Sequence, residues 1–156
     1  MSKGKLKFKV SSSHIQGRGA FATHRIRNGT RIIEYTGERI TSKEADARYE
    51  NNHAKDSPVL LFVVDKQMVI DAGVNGNEAR FINHSCEPNC EAVIEARRIY
   101  IEAVRTILPD EELTYDYNLT RDKQDDKETE AEYVCHCGAP SCRGTMLEPL
   151  PKHRKR

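Results

Sequence analysis

The sequence predicts a mainly β domain of small sheets, with few short helices and a metal-held C-terminal segment. Three observations carry that expectation. Apolar residues fall in short runs of strand length rather than in long helical stripes. Only two stretches have the composition of a helix. Three of the five cysteines crowd between Cys135 and Cys142, in a polar segment with no core of its own.

Taken in order, Leu6 to Val10 alternates apolar and polar residues, as a half-buried strand does. Gly17 and Gly19 flank Arg18 in a tight turn before the second strand, Arg31 to Tyr35, which Gly37 ends. A helix runs from Ser42, its cap, to about Asn51, with Ala45, Ala47 and Tyr49 among good helix formers. Val59 to Asp65 and Met68 to Asp71 form a hairpin turning near Asp65-Lys66-Gln67. A short helix covers Asn77 to Ile82. Glu91 to Glu95 and Arg98 to Val104 form another hairpin, turning at Ala96-Arg97. Arg121 to Glu132 carries six acids and three bases with almost no apolar side chain, the composition of a flexible, solvated linker. The expected organisation is a β domain over 6–120, an acidic linker over 121–132, a cysteine segment over 133–149 and a basic tail over 150–156.

The 156 residues suit one domain, and the formal net charge of +1 argues against binding nucleic acid by bulk charge. The run Lys152 to Arg156 is the local exception; a solvated terminus with at most weak nucleic-acid contact is the better expectation. Met1 to Val10 lacks the continuous apolar core of a secretory leader. The longest apolar run, Val59 to Val64, falls far short of the ~20 residues of a membrane span. A soluble, intracellular protein is expected. An odd number of cysteines leaves no complete disulfide framework, so a reducing compartment and a metal site fit better.

Cys135, Cys137 and Cys142 have the spacing C-x-C-x4-C, close enough to converge on one ion. Zinc prefers four ligands in a tetrahedron, so one is missing locally. His136, Cys86 and Cys90 are candidates for it. The His136 ring lies between two ligands and is expected to point away, whereas a cysteine from upstream would tie the tail to the domain. Three inert reduced thiols are the simpler alternative, less favoured because the tail has no core to bury them.

Arg80 to Cys90 is dense in polar groups for a stretch between two apolar hairpins, and Pro88 forbids a regular helix or central strand there. By composition alone it is a loop stitched by side-chain hydrogen bonds. Alongside Glu112-Leu113-Thr114-Tyr115-Asp116-Tyr117 it becomes far more specific. With Gly17-Arg18-Gly19-Ala20-Phe21 and Glu34-Tyr35-Thr36-Gly37-Glu38, in that order, the chain resembles the SET-domain lysine methyltransferases over roughly Lys7 to Leu147. Asn75 to Arg80 is most similar to the branch that methylates histone tails, and the cysteine cluster followed by Arg143-Gly144 resembles the family's post-SET zinc tail.

The resemblance implies the SET (β-clip) fold of small curved sheets, with Arg80–Cys90 and Glu112–Tyr117 threaded into a pseudoknot against the usual avoidance of threaded loops. It implies Cys86 as the fourth zinc ligand beside Cys135, Cys137 and Cys142, leaving Cys90 free. It implies S-adenosylmethionine as methyl donor, with Gly17, Arg18, Gly19, Arg80, Asn83 and His84 around it and Leu147 covering its adenine. Tyr117 would be the catalytic tyrosine, and Tyr35, Phe62 and Tyr115 would line the lysine channel with it. Tyr115 holds the position that in this family sets how many methyls are added; a tyrosine there implies mainly monomethylation.

The chemistry sets its own requirements. A free lysine amine has a pKa near ~10.4 and is charged at neutral pH, so it must lose a proton before attack. A narrow aromatic channel closed by a cationic sulfonium favours the neutral amine through desolvation and like-charge repulsion. Two departures from the family pattern stand out: Leu60 replaces a tyrosine that touches the donor in several relatives, and Leu147 replaces an aromatic. The short segment between Ile40 and Val59 leaves little surface for substrate selection, so an accessory protein or a broad substrate range is expected. Histone or histone-like tails are the implied substrates, with a nuclear, chromatin-associated location in a eukaryote. The lack of flanking domains favours a stand-alone or bacterial protein, cytoplasmic or delivered to a host. The competing expectations are a catalytically inactive SET-like binding module and a small zinc protein binding nucleic acid.

Overall fold

The computed structural model describes residues 5–50, 60–119 and 133–149. The expected linker over 121–132 and the basic run Lys152–Arg156 lie outside the described residues. The chain is mainly β: the described residues form four small sheets around a main core rich in buried isoleucines, among them Ile26, Ile70, Ile82, Ile99, Ile101 and Ile107, with a smaller cluster of Ile40, Ala45 and Val69 beside it.

β1 (Phe8–Ser12) and β2 (Arg18–Ala22) form an antiparallel hairpin with Phe8 opposite Ala22. β1 starts two residues later than its alternation predicts, because Phe8 is buried in the core while Leu6 stays exposed. Gly17 occupies the turn with φ 45°, a conformation glycine adopts freely. Arg18 and Gly19 instead open β2, correcting the reading of all three as a turn. Gly19 is a strand glycine for a steric reason: a Cβ there would run into the Glu112 carboxylate.

β3 (Arg31–Tyr35) lies where expected and pairs antiparallel with the strand Arg98–Ala103. β4 (Glu38–Thr41) was not predicted, since Ile40 is its single buried residue and no apolar alternation marks it. α1 (Ser42–Tyr49) follows, and its cap is Thr41 rather than Ser42: the Thr41 hydroxyl accepts the Glu44 N–H at 3.1 Å. β5 (Leu61–Val63) and β6 (Met68–Asp71) make the expected hairpin, shorter in its first strand. The Asp65 carboxylate fastens its turn by accepting the Gln67 and Met68 N–H groups at 2.8 and 2.9 Å.

The second expected helix is a single 3-10 turn, Glu78–Phe81. Asn77 caps it and also donates to the Glu34 carbonyl at 2.7 Å, pinning it to β3. β7 (Asn83–His84), β8 (Cys90–Glu95) and β9 (Arg98–Ala103) come next; the β8–β9 turn at Ala96-Arg97 holds both residues at positive φ. β10 (Thr114–Tyr115) then pairs in parallel with β7. Asn89 stitches the same two segments, donating to the Glu112 carbonyl at 2.8 Å and accepting the Thr114 N–H at 2.9 Å. The two long motifs therefore lie side by side. Among the described residues no helix is long and apolar enough to cross a membrane.

Asp71 is a fully buried carboxylate that locks α1 onto β6. It accepts from the Tyr49 hydroxyl at 2.6 Å, the Arg48 guanidinium at 2.9 Å and the Gly73 N–H at 2.9 Å. Burial opposes its ionisation, but these donors outweigh burial and hold its pKa below the ordinary value. A depressed folded pKa means stability that is present above the unfolded value of about 3.9 and lost as pH falls through the folded one. Asp71→Asn is expected to cost about 2 kcal/mol in urea unfolding at neutral pH. The difference from the native protein should shrink in acid, where Asp71 itself is protonated.

Candidate active site

The sheets meet around a cavity of about 1250 Å³. One side is the turn at Gln16 and Gly17 with Arg18 at the start of β2; another is β5 with the preceding Leu60. The floor is aromatic. Tyr35 and Phe62 have ring centroids 5.4 Å apart, Phe62 and Tyr115 stack at 6.2 Å, and Tyr115 and Tyr117 approach to 4.8 Å. Strand geometry explains the cluster: β3 ends on Tyr35, β5 carries Phe62, and β10 ends on Tyr115, two residues before Tyr117.

Two of the three tyrosine hydroxyls are tied to backbone. Tyr117 donates to the Ile82 carbonyl at 2.6 Å, and Tyr35 to the Leu60 carbonyl at 3.2 Å. Burial raises the pKa of Tyr35, Tyr115 and Tyr117 above the ordinary tyrosine value, reinforced by their mutual proximity for Tyr115. All three are neutral hydroxyls at physiological pH, able to orient a polar group but not to act as phenolate bases.

Arg18 and Arg80 place guanidinium groups 5.3 and 4.8 Å from the centre of the Phe81 ring, and both line the cavity. The loop they border is held by Asn83, whose amide lies within 3.1 Å of the Gln16 and Arg18 carbonyls and 3.0 Å of the Glu112 carboxylate. Glu112 in turn accepts from the Ser13 hydroxyl at 2.7 and 2.9 Å.

The sequence-predicted residues divide. Gly17, Arg18, Tyr35, Phe62, Arg80, Asn83, Tyr115 and Tyr117 line the cavity. Gly19 lies beside Glu112 on β2. His84 is buried with its ring turned to Tyr117 and Cys86: Nδ1 accepts the Tyr117 N–H at 3.0 Å, and Nε2 is 3.5 Å from Cys86 Sγ. Burial lowers its pKa despite the nearby Asp116. Leu147 is buried in a bridge to Leu119, and its neighbour Met146 lines the cavity instead.

The Sγ atoms of Cys86, Cys135, Cys137 and Cys142 all lie within 4.8 Å of one another. A tetrahedral zinc with bonds of about 2.3 Å spaces its sulfurs about 3.8 Å apart, the separation of Cys86 and Cys135. The donor chemistry fits as well. Backbone N–H groups point at the sulfurs: Arg143 at Cys86 (3.3 Å), Cys137 at Cys135 and Gly144 at Cys142 (both 3.4 Å). Burial pushes the Cys135 and Cys86 thiols up. Burial also opposes ionisation of Cys137, but N–H groups and neighbouring thiols bring it down to about 6. Cys137 forms its thiolate readily, whereas Cys135 and Cys86 need a cation beside them. Of the two other candidate ligands, Cys90 is buried in the core with its thiol pushed up to about 12, and His136 lines the cavity. A bidentate Arg143–Asp116 pair, at 2.9 and 3.0 Å, makes a second tie between tail and domain.

A family model described as "SET domain" matches residues 17–118. The chain belongs to the SET-domain family. Its relatives include the "Histone-lysine N-methyltransferase, H3 lysine-4 specific" of Saccharomyces cerevisiae, 43% identical over 152 residues, covering 94% of this chain and 14% of the relative. The protein of that description from Schizosaccharomyces pombe is 43% identical over 141 residues, with coverage of 86% and 14%. The "Histone-lysine N-methyltransferase trithorax" of Drosophila virilis is 41% identical over 138 residues, covering 86% of this chain and 3% of the relative. The chain thus spans a small part of these proteins.

Within this SET domain, sequence reasoning missed Gln16, Tyr133, Val134 and Met146 as cavity residues and gave Glu112 no role. Glu112 had a signal: a carboxylate opening an otherwise apolar and aromatic motif. Met146 had none, since its neighbour Leu147 is equally apolar.

Proposed function

We propose that this domain transfers a methyl group from S-adenosylmethionine to the side-chain amine of a protein lysine, mainly once, on a histone H3 tail. The observation that carries the proposal is that the aromatic cluster of Tyr35, Phe62, Tyr115 and Tyr117 lines the same cavity as Gly17, Arg18, Arg80 and Asn83. The names of the relatives support lysine 4 of H3 as the first target to test and chromatin as the place of action.

S-adenosylmethionine supplies a methyl already activated on a sulfonium, so the protein's task is to position and desolvate. Gly17 presents backbone without a Cβ, and the Arg18 and Arg80 guanidiniums suit an α-carboxylate. Asn83 holds the loop, and Met146 offers an apolar cover that Leu147 does not. The four rings pack along a lysine stem, exclude water and favour the neutral amine. Tyr117 holds its hydroxyl fixed against the Ile82 carbonyl, with its lone pairs available to the reacting centre. The amine gives up its proton to solvent before the rings close round it, because Tyr115 and Tyr117 stay neutral hydroxyls. Zinc on the four cysteines is structural and brings the tail residues to the cavity.

The test is incubation with methyl-labelled S-adenosylmethionine and mixed core histones, followed by mass spectrometry of the modified residue. Label on an H3 lysine, mostly as the monomethyl form, is expected. Label on no histone would sink the proposal. Tyr115→Phe removes a buried hydroxyl from the channel floor and is expected to shift the product toward di- and trimethyl-lysine; an unchanged product ratio would refute that role for Tyr115.

A further inference from the structure

His84 is the one predicted donor-pocket residue whose ring has two partners of a different kind. It is 2% exposed and lies at the end of β7. A backbone N–H can only donate, so the Tyr117 N–H, 3.0 Å away, makes Nδ1 an acceptor. In a neutral imidazole the proton then sits on Nε2, which faces Cys86 Sγ at 3.5 Å. That sulfur belongs to the four-cysteine cluster and already accepts the Arg143 N–H. The ring also meets the Tyr117 ring edge-on at 5.4 Å and 69°, and the Asp116 carboxylate lies 3.6 Å from Nδ1, itself paired with Arg143. The groups on one side belong to the tyrosine segment, and the sulfur on the other belongs to the four-cysteine cluster that ties the tail to the domain.

We infer that His84 is a positioning residue that bridges the two: its Nδ1 fixes the backbone of Tyr117 while its Nε2–H donates to Cys86 Sγ and orients it. Metal ligands are commonly oriented by such outer hydrogen bonds, and losing one costs about 10- to 100-fold in metal affinity. The kinetic half of the inference rests on the methyl-transfer reading; the metal half and the amide half do not.

Two substitutions separate the ends of the bridge. Asparagine carries an amide oxygen near the Nδ1 position but does not reach Cys86, whereas glutamine reaches the Nε2 position and leaves Nδ1 empty. With zinc-loaded protein, His84→Asn and His84→Ala are expected to release zinc to a chelator about tenfold faster than the native chain, and His84→Gln much less so. Exchange of the Tyr117 amide, followed by NMR, is expected to accelerate in His84→Gln and His84→Ala but not in His84→Asn. In transfer assays His84→Gln should lower kcat about tenfold with little change in KM for S-adenosylmethionine, and His84→Asn should lower it less. Equal zinc release in the native chain and all variants, or a Tyr117 amide indifferent to the substitutions, would overturn the bridge. So would a raised KM for S-adenosylmethionine with unchanged kcat, which would make the ring a donor-pocket group. If the native chain transfers no methyl, the proposed function fails, while zinc release and amide exchange still decide the bridge.

Discussion

Tyr117→Phe is expected to lower kcat for methyl transfer about 100-fold, the usual scale for deleting one oriented group at a reacting centre. The fold should survive, because the ring keeps its packing against Tyr115 at 4.8 Å and against His84 at 5.4 Å. Only the hydroxyl and its 2.6 Å bond to the Ile82 carbonyl are lost. That carbonyl then loses its side-chain donor. The measurement is steady-state transfer at saturating donor and peptide, with urea unfolding of the same variant as the control. A loss below threefold with unchanged stability would remove Tyr117 from the centre of the mechanism.

The second large effect concerns the tail. Cys86→Ser is expected to lower zinc content and reduce transfer by at least about tenfold, because metal binding and folding of such a segment are one event. Cys86 is the only ligand of the four that comes from the main domain, so its loss cuts the tail free. The Arg143–Asp116 pair remains and should keep the tail partly in place. Cys90→Ser makes the contrast. Its thiol is 1% exposed, is pushed up to about 12 and donates to Asn89. A serine there should cost about 1 kcal/mol of stability and leave zinc content unchanged. Zinc stoichiometry by absorption spectrometry separates the two variants; equal zinc loss in both would contradict the assignment of Cys86.

Much of this was legible in the sequence for identifiable reasons. Short apolar runs with turn residues between them marked β3, β6, β8 and β9, because strands that bury one face must alternate. The C-x-C-x4-C spacing exposed three members of the cysteine cluster, and the family resemblance pointed to the fourth. β4 stayed hidden because it buries one side chain, and its pairing with β6 is set by the sheet rather than by its own residues. Gly19 read as a turn because glycine breaks strands; its actual reason, the Glu112 carboxylate 93 positions away in the chain, is a tertiary contact. His84 and Leu147 follow the same logic. Their residue types suit a donor pocket, but which way each side chain faces is decided by Tyr117 and Cys86 for one and by Leu119 for the other.

The most direct measurement compares an H3 amino-terminal peptide with the same peptide in which lysine 4 is replaced by arginine, under single-turnover conditions with labelled S-adenosylmethionine. If the cavity is where donor and lysine meet, label reaches the first peptide, stays off the second, and nearly disappears from the first with Tyr117→Phe. Equal labelling by the native chain and Tyr117→Phe would contradict the account at its centre.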